Sequence, residues 1–333
     1  MKTVYAELLD DVPYVPFLYP NLGAQKRESI LFLNNAFTHI TEPFVTLVDT
    51  PEKADAILLP HNYSSLKNHH TYVQKQIDLA KRLGKHLVVF WHGDSDRPFP
   101  SDDAIVFRTS AYRGSQRPNE IMMPAYAEDL LDGELTVRLK HGGKPIVGFC
   151  GWADYKNFKN RIGTLVQNML TRDKARVKGI TYRMRAIAHL QQSDRIQQNF
   201  IIRRSYSGNS STIKTDPKKA RQEYIENLLG SDYALVIKGD GNYSYRFYEA
   251  LSLGRIPVLL DTDCILPLED EIAYSECVLR VPYADLSRLS DIVANHYSSI
   301  SRDDFIAMQK KAREVFETYL RVDSFLTRSL TYI

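Results

Sequence analysis

Lys238, Arg246 and Glu249 are charged residues that flank a glycine-bearing turn at 239–242, where they could bind a diphosphate group. The surrounding residues 233–261 predict a strand, the turn, a short helix and a second strand. A helix N-terminus carries free N–H groups and partial positive charge, so it can hold a pyrophosphate, to which the lysine and the arginine add full charges. The glutamate could accept hydrogen bonds from ribose hydroxyls. The alternative is an intrahelical ion pair between the arginine and the glutamate, worth ~0.2–0.5 kcal/mol.

Ser244 and Gly254 mark the expected ends of this helix. A serine suits the N-cap, and a glycine suits the position after the last turn. In open α/β sheets ligands bind at the carboxyl ends of the strands, which this helix N-terminus would face. Gly151 follows another apolar run, where a small residue lets the backbone approach a phosphate; simple packing beneath a turn is the equal alternative.

Three possible proton acceptors follow the apolar run 87–91: His92, Asp94 and Asp96. An imidazole or carboxylate at a strand end could remove a proton from a hydroxyl group. Asp94 is the preferred candidate, and His61, at another strand end, is a weaker one. The alternative for the two aspartates is turn capping, because Asp beside Gly and Pro commonly stabilises turns.

Positioning such groups requires parallel strands, and short apolar runs alternate with amphipathic stretches over most of the chain, as in βαβ units. We expect ten strands, at 3–8, 44–48, 55–59, 86–91, 104–108, 145–150, 199–203, 233–237, 256–260 and 277–281. A polar, glycine-bearing segment at 140–145 follows a predicted helical stretch near 126–139 and indicates a domain boundary near 143. After about 284 the pattern is helical, and this tail could cross back onto the first domain.

Composition narrows the function classes. The composition of the 333 residues, 44% hydrophobic and 25% charged, is that of a globular protein. A net charge of +3 gives little support for nucleic-acid binding. No stretch approaches the ~20 apolar residues of a membrane span, and three widely spaced cysteines suit a reducing compartment, so we expect a cytoplasmic protein.

Residues 172–221 hold thirteen Lys/Arg against three Asp/Glu, which is either a solvated face or a surface that attracts anions. Motifs of P-loop NTPases, nicotinamide dehydrogenases and nucleophile-elbow hydrolases are absent.

Residues 244–261, SYRFYEALSLGRIPVLLD, resemble the exostosin-family pattern S-x-R-x-x-E-A-L-x-x-G-x-x-P-V followed by an aspartate. A Leu-Pro pair at 266–267 matches the family's trailing L-P, and Arg255 stands where the family usually has cysteine. Weaker similarity spans roughly residues 46–270, at five places: 50–61, 89–94, 108–113, 149–152 and Arg161.

The resemblance implies two Rossmann-like α/β domains facing a cleft, the GT-B fold. We expect an acceptor-side domain at 1–143, a nucleotide-sugar-binding domain at 144–300 and C-terminal helices at 301–333. The expected donor-binding residues are Arg246, Glu249, Lys238, Ser244, Asn242, Tyr245, Gly151, Arg161 and Arg113. The expected acceptor-side residues are His61 and Asp154.

The implied activity is that of an inverting glycosyltransferase. It would move a sugar from a nucleoside-diphosphate sugar to a hydroxyl of a glycan or a lipid-linked saccharide. A UDP-sugar is the favoured donor, and a GDP-sugar is the alternative. Retaining GT-B enzymes commonly carry a second glutamate eight residues on, but Pro257 stands at that distance from Glu249, which favours inversion. No aspartate cluster is spaced to hold a metal, so we expect no metal or other cofactor, and a lipid-linked acceptor would imply peripheral membrane contact. The alternative is a glycan- or nucleotide-binding protein that has lost catalysis.

Overall fold

The computed structural model describes residues 1–26, 30–155 and 158–333, with the backbone alone for residues 158–161 and 165. In this part of the chain the strands form two sheets, and every strand pair is parallel. The first sheet has the order β2-β1-β3-β4-β5-β6, with β1 Thr3–Tyr5, β2 Thr46–Leu47, β3 Ala56–Leu59, β4 Leu87–Trp91, β5 Ala104–Arg108 and β6 Glu120–Met122. The second has the order β11-β10-β9-β7-β8, with β7 Ile146–Trp152, β8 Gln197–Arg203, β9 Tyr233–Val236, β10 Ile256–Asp261 and β11 Leu279–Pro282.

Helices cover these sheets, and the predicted α/β fold with two facing domains is confirmed. The helices are α1 Tyr19–Leu22, α2 His70–Leu83, α3 Phe158–Leu170, α4 Gly179–Gln192, α5 Pro217–Leu229, α6 Tyr245–Ser252, α7 Leu289–Ser299, α8 Arg302–Val315 and α9 Val322–Ser329. Every residue of β3, β4 and β9 is buried, as expected for parallel strands covered on both faces. Among the described residues, no helix combines the length and the apolar content that crossing a bilayer requires.

Each predicted strand has a counterpart, but β6 was not expected, since it is short and begins at a charged residue. That residue, Glu120, is buried and forms an ion pair with Arg108, whose side chain is also buried. The pair allows a charged residue to lie inside the sheet, where an isolated charge would be costly.

The helix expected near 126–139 is wrong, because this segment is irregular. Two of its backbone N–H groups bond to side chains outside the segment: Leu130 N donates to Ser252 Oγ at 3.2 Å and Arg138 N to Gln309 Oε1 of α8 at 2.7 Å. Leu130 and Leu131 pack against a cluster that includes Leu253. The apolar spacing that suggested a helix thus serves packing between the domains.

The C-terminal helices return to the first domain. Val322, Phe325 and Leu326 of α9 are buried in the same cluster as Phe90 and Phe107 of the first sheet. The division into domains at 1–143, 144–300 and 301–333 stays a prediction; residue 143 lies in the irregular connection between β6 and β7.

Candidate active site

A cavity of about 570 Å³ lies between the two sheets, within the ~300–1,000 Å³ that small-molecule sites occupy. The second domain contributes residues 150–152 at the end of β7 and residues 239–240 after β9. The strand order reverses between these two strands, because β8 lies on one side of β7 and β9 on the other. Ligands of open parallel sheets bind at such a switch point.

Arg246 lies in the first turn of α6 and its side chain is buried against this cavity. Its guanidinium carbon is 4.2 Å from the ring centroid of Phe149, and Nη2 donates to the backbone carbonyl of Cys150. Gly151 permits this approach, since a Cβ at that position would lie 2.8 Å from Arg246 Nη2. Among the described residues, Arg246 Nε has no hydrogen-bond partner. Its charge has no carboxylate partner among the described residues, so the guanidinium favours an anionic ligand in the cavity.

Arg183 of α4 is a second arginine in this cavity, and the sequence did not single it out. Nη1 donates to the carbonyl of Trp152 at 3.2 Å and Nη2 to that of Ile237 at 3.3 Å, while Nε has no partner within the described ranges. Burial, together with the charge of Arg246, lowers the pKa of Arg183 to about 10. It remains charged at neutral pH, so two guanidinium groups face one cavity and favour an anion there.

Glu249 also lines the cavity, and its carboxylate is held in place by two donors. Tyr224 Oη donates to Oε2 at 2.6 Å and Arg221 Nη1 to Oε1 at 2.7 Å. Arg221 also pairs with Glu128, so it joins the walls of the cavity from both domains. The intrahelical ion pair between Arg246 and Glu249, considered from the sequence, is not formed, because Glu249 engages Arg221 instead.

Ser244 and Tyr245 line the cavity at the start of α6. Ser244 occupies the predicted N-cap position, but its side chain makes no capping hydrogen bond within the described part of the chain. The predicted start of the helix is confirmed, but the Ser244 side chain does not cap it within the described part of the chain.

Asp94, from the loop after β4, reaches the cavity from the first domain. It touches the loop after β9 so closely that a Cβ at Gly241 would lie 2.8 Å from Asp94 Oδ1. Although one side of Asp94 is open to the cavity, the protein walls around it desolvate the carboxylate and, with the charge of Asp240, raise its pKa. Hydrogen bonds from Gly241 N–H and the Tyr243 hydroxyl act in the opposite direction. A carboxylate with a raised pKa is a stronger base than an ordinary aspartate.

Three residues expected to bind the donor hold the domains together instead, outside the cavity lining. Lys238 Nζ donates to Tyr112 Oη at 3.0 Å and to Ala175 O at 2.5 Å, and burial lowers its pKa to about 8. Asn242 is buried and donates to Ala111 O at 2.9 Å. Arg113 forms an ion pair with Glu269 at 2.8 Å. Protein groups thus satisfy all three outside the cavity lining, and their role in donor binding stays a prediction.

His61 and Asp154, expected on the acceptor side, do not line the cavity either. His61 is fully buried; Leu9 N donates to its Nε2 at 2.9 Å, and burial lowers its pKa. Asp154 forms an ion pair with Arg204 at 2.9 Å. Both residues have protein partners, and their role on the acceptor side stays a prediction.

The two alternatives to Asp94 are also outside the cavity lining. Asp96 forms an ion pair with Arg176 of the second domain. His92 stacks on Tyr126 at 4.4 Å and accepts a hydrogen bond from the Tyr126 backbone N–H at 3.3 Å. The side chain of Arg161, a predicted donor contact, lies outside the described residues.

The sequence indicated three further cavity arginines only as part of a basic stretch and not as individual residues. Arg183, Arg203 and Arg221 all fall in the basic stretch 172–221, and all three line the cavity. The role of each arginine depends on whether it pairs with a carboxylate, and only the tertiary structure shows these pairs.

Two parallel sheets with a cationic cavity between them define a two-domain α/β fold. Residues 167–296, which include Arg183, Arg246 and Glu249, match the family model of the exostosin GT47 domain. This segment of the chain is therefore similar to the exostosin family.

Curated relatives support this assignment over part of the chain. The exostosin-1 homolog of Caenorhabditis elegans is 32% identical over 101 residues, which are 30% of this chain and 25% of the relative. A probable glucuronosyltransferase of Oryza sativa subsp. japonica is 33% identical over 87 residues, 26% of this chain and 19% of the relative. The chain thus spans a quarter or less of the length of these relatives. Among solved structures, Anabaena Alr3699/HepE in complex with UDP has a TM-score of 0.41 at 10% identity over 100% of both chains, a likeness too low to carry a conclusion.

Proposed function

We propose that this chain is a glycosyltransferase that binds a nucleoside-diphosphate sugar in the cavity and transfers the sugar to an acceptor hydroxyl. The observation that carries the proposal is the pair Arg183 and Arg246, which line one cavity and, among the described residues, donate to backbone carbonyls and to no carboxylate. Two positive charges without a carboxylate of their own are stabilised when an anionic ligand arrives. The names of the rice relatives, probable glucuronosyltransferases, support a sugar-transfer reaction.

In this proposal the diphosphate lies against the two guanidinium groups and the N-terminus of α6. Glu249, oriented by Tyr224 and Arg221, accepts hydrogen bonds from the ribose hydroxyls. A UDP-sugar is the preferred donor and a GDP-sugar the alternative. The acceptor, a glycan or a lipid-linked saccharide, approaches from the first domain.

Asp94 acts as the general base. It removes the proton from the acceptor hydroxyl while that oxygen forms a bond to the anomeric carbon, and the bond from that carbon to the diphosphate oxygen breaks. The negative charge that develops on the leaving diphosphate is stabilised by Arg183 and Arg246. Direct displacement inverts the anomeric configuration, and Pro257, eight positions after Glu249, leaves no second glutamate at that place in the chain.

We propose that turnover requires no divalent metal and takes place in the cytoplasm. No group of three metal-ligating side chains is found in residues 1–26, 30–155 and 158–333 taken together. The three cysteines, Cys150, Cys264 and Cys277, are buried free thiols, as expected in a reducing compartment.

Release of UDP or GDP from a panel of sugar donors, with candidate saccharide acceptors, tests the proposal. We expect one donor class to release its nucleotide in EDTA, slowly by hydrolysis and faster with an acceptor. Binding of donors without any release would favour the alternative, a nucleotide- or glycan-binding protein. Absence of both binding and release would contradict the proposal.

A further inference from the structure

Among its described side chains, helix α3 exposes four large apolar ones along one side. The exposed fractions are 46% for Ile162, 51% for Val166, 84% for Met169 and 78% for Leu170. With about 3.6 residues per turn, these four positions fall within an arc of about 100°, the width of the stripe by which a surface helix usually contacts its core. In α3 this stripe faces solvent, and we refer to these four residues as the α3 stripe.

The opposite side of α3 is fixed to the second domain by polar contacts. Asn168 Nδ2 donates to Thr181 Oγ1 at 2.7 Å, and Lys178 N donates to Asn168 Oδ1 at 3.3 Å. Thr164, on the same side, is buried. These contacts hold the α3 stripe outward, beside the start of α4, where Ile180 and Arg183 line the cavity.

The sequence around the helix is strongly basic. Residues 156–178 contain seven Lys/Arg and one Asp, and Arg172 and Lys174 are exposed just after the helix ends. An exposed apolar stripe on a basic amphipathic helix matches a bilayer interface, where apolar side chains enter the headgroup boundary and cations meet anionic lipids. A two-fold dimer through this face would bring the same basic segment of both copies together, because such interfaces are self-complementary.

We propose that α3 docks the protein on the surface of an anionic phospholipid bilayer, with the α3 stripe inserted at the headgroup boundary. The proposal goes beyond the sugar-transfer activity and does not depend on it, because the contact needs no nucleotide.

Flotation of the full chain with phospholipid vesicles tests the proposal. We expect binding to phosphatidylcholine vesicles that contain about one third phosphatidylglycerol, little binding to pure phosphatidylcholine, and weakening as salt screens the charges. Leu170→Glu should lower the partition coefficient about tenfold or more. Leu139→Glu is the matched control, since Leu139 is 68% exposed but lies outside α3, and it should leave binding unchanged.

Three outcomes would overturn the proposal: wild-type protein that does not float with anionic vesicles, equal losses in the two glutamate variants, or a dimer in sedimentation that Leu170→Glu dissociates without any vesicle binding. Thermal unfolding and UDP binding, measured on the same variants, separate a folding defect from loss of docking. They also keep this test distinct from that of the sugar-transfer activity.

Discussion

Two sets of cationic residues lie at the interface between the domains, and they differ in what they meet there. Lys238 and Arg113 are satisfied by groups of the protein, a hydroxyl, a carbonyl and a carboxylate. Arg183 and Arg246 donate only to backbone carbonyls and each keeps an unpartnered Nε, as far as the described residues show. The first set holds the domains together, whereas the second leaves positive charge for a ligand. Residue type and sequence neighbourhood do not separate the two sets, but their partners do.

The largest effect is expected at Asp94. The contrast between a group that faces the cavity and a group paired within the protein also separates Asp94 from its neighbour Asp96. Asp94 faces the cavity, and Asp96 is paired with Arg176. Asp94→Asn should lower kcat by ~10²–10⁴-fold with donor affinity retained, because a general base is removed. In the wild type, kcat should fall at acidic pH as Asp94 becomes protonated, and the raised pKa of Asp94 places this fall above the usual aspartate range. Asp94→Asn should remove this acidic limb of the pH profile. Steady-state kinetics across pH check both expectations.

Asp96→Asn is the matched control and should keep kcat nearly unchanged. If the two variants lose activity equally, or Asp94→Asn loses it by unfolding, Asp94 is not the base.

Arginine variants provide the second test of the contrast between cations that are paired within the protein and cations that face the cavity. Arg246→Met and Arg183→Met should each weaken donor binding by ~2 kcal/mol, about thirtyfold, because each removes a buried, charge-assisted contact. Arg113→Met removes a cation whose contacts are made within the protein and should change donor affinity little. Donor titration by calorimetry checks the three variants. Equal effects in all three would mean that the distinction between paired and unpaired cations has no functional meaning.

A smaller effect is expected at Glu249. Glu249→Gln keeps a hydrogen-bond acceptor but removes the charge, so the donor KM should rise about fivefold, corresponding to ~1 kcal/mol. The pH dependence of kcat should stay as in the wild type. A variant that binds donor normally and loses only kcat would instead make Glu249 a catalytic residue.

The smallest effect concerns stability and involves Lys238. Its pKa in the folded protein, about 8, lies below that of an unfolded lysine, so the unfolded chain binds more protons above pH 8. The contribution of Lys238 to the free energy of unfolding should therefore rise by about 1 kcal/mol from pH 8 to pH 9. Urea unfolding of the wild type and of Lys238→Met at both pH values checks this. An identical pH dependence in the two proteins would show that Lys238 does not titrate in this range.

The strand pattern and the helix that begins after Ser244 could be predicted because they depend on local periodicity and turn residues. The individual roles of Lys238 and Asn242 could not, because both are buried against first-domain residues more than a hundred positions away. Arg183 was hidden for the same reason: a basic stretch shows where charge accumulates, but only tertiary contacts show which charges remain unpaired. The irregular segment at 126–139 shows the same limit, since its apolar residues pack against another domain.

The central claim is that Arg183 and Arg246 bind the diphosphate of the donor, and comparing each nucleoside diphosphate with its nucleoside tests it most directly. Calorimetric titration of UDP and uridine, and of GDP and guanosine, measures the contribution of the phosphates separately from that of the base. The account predicts that one diphosphate binds the wild type at least tenfold more tightly than its nucleoside, a gap of ~1.4 kcal/mol or more. In the double variant Arg183→Met and Arg246→Met this gap should disappear while nucleoside binding stays the same. A gap that persists in the folded double variant would contradict the account.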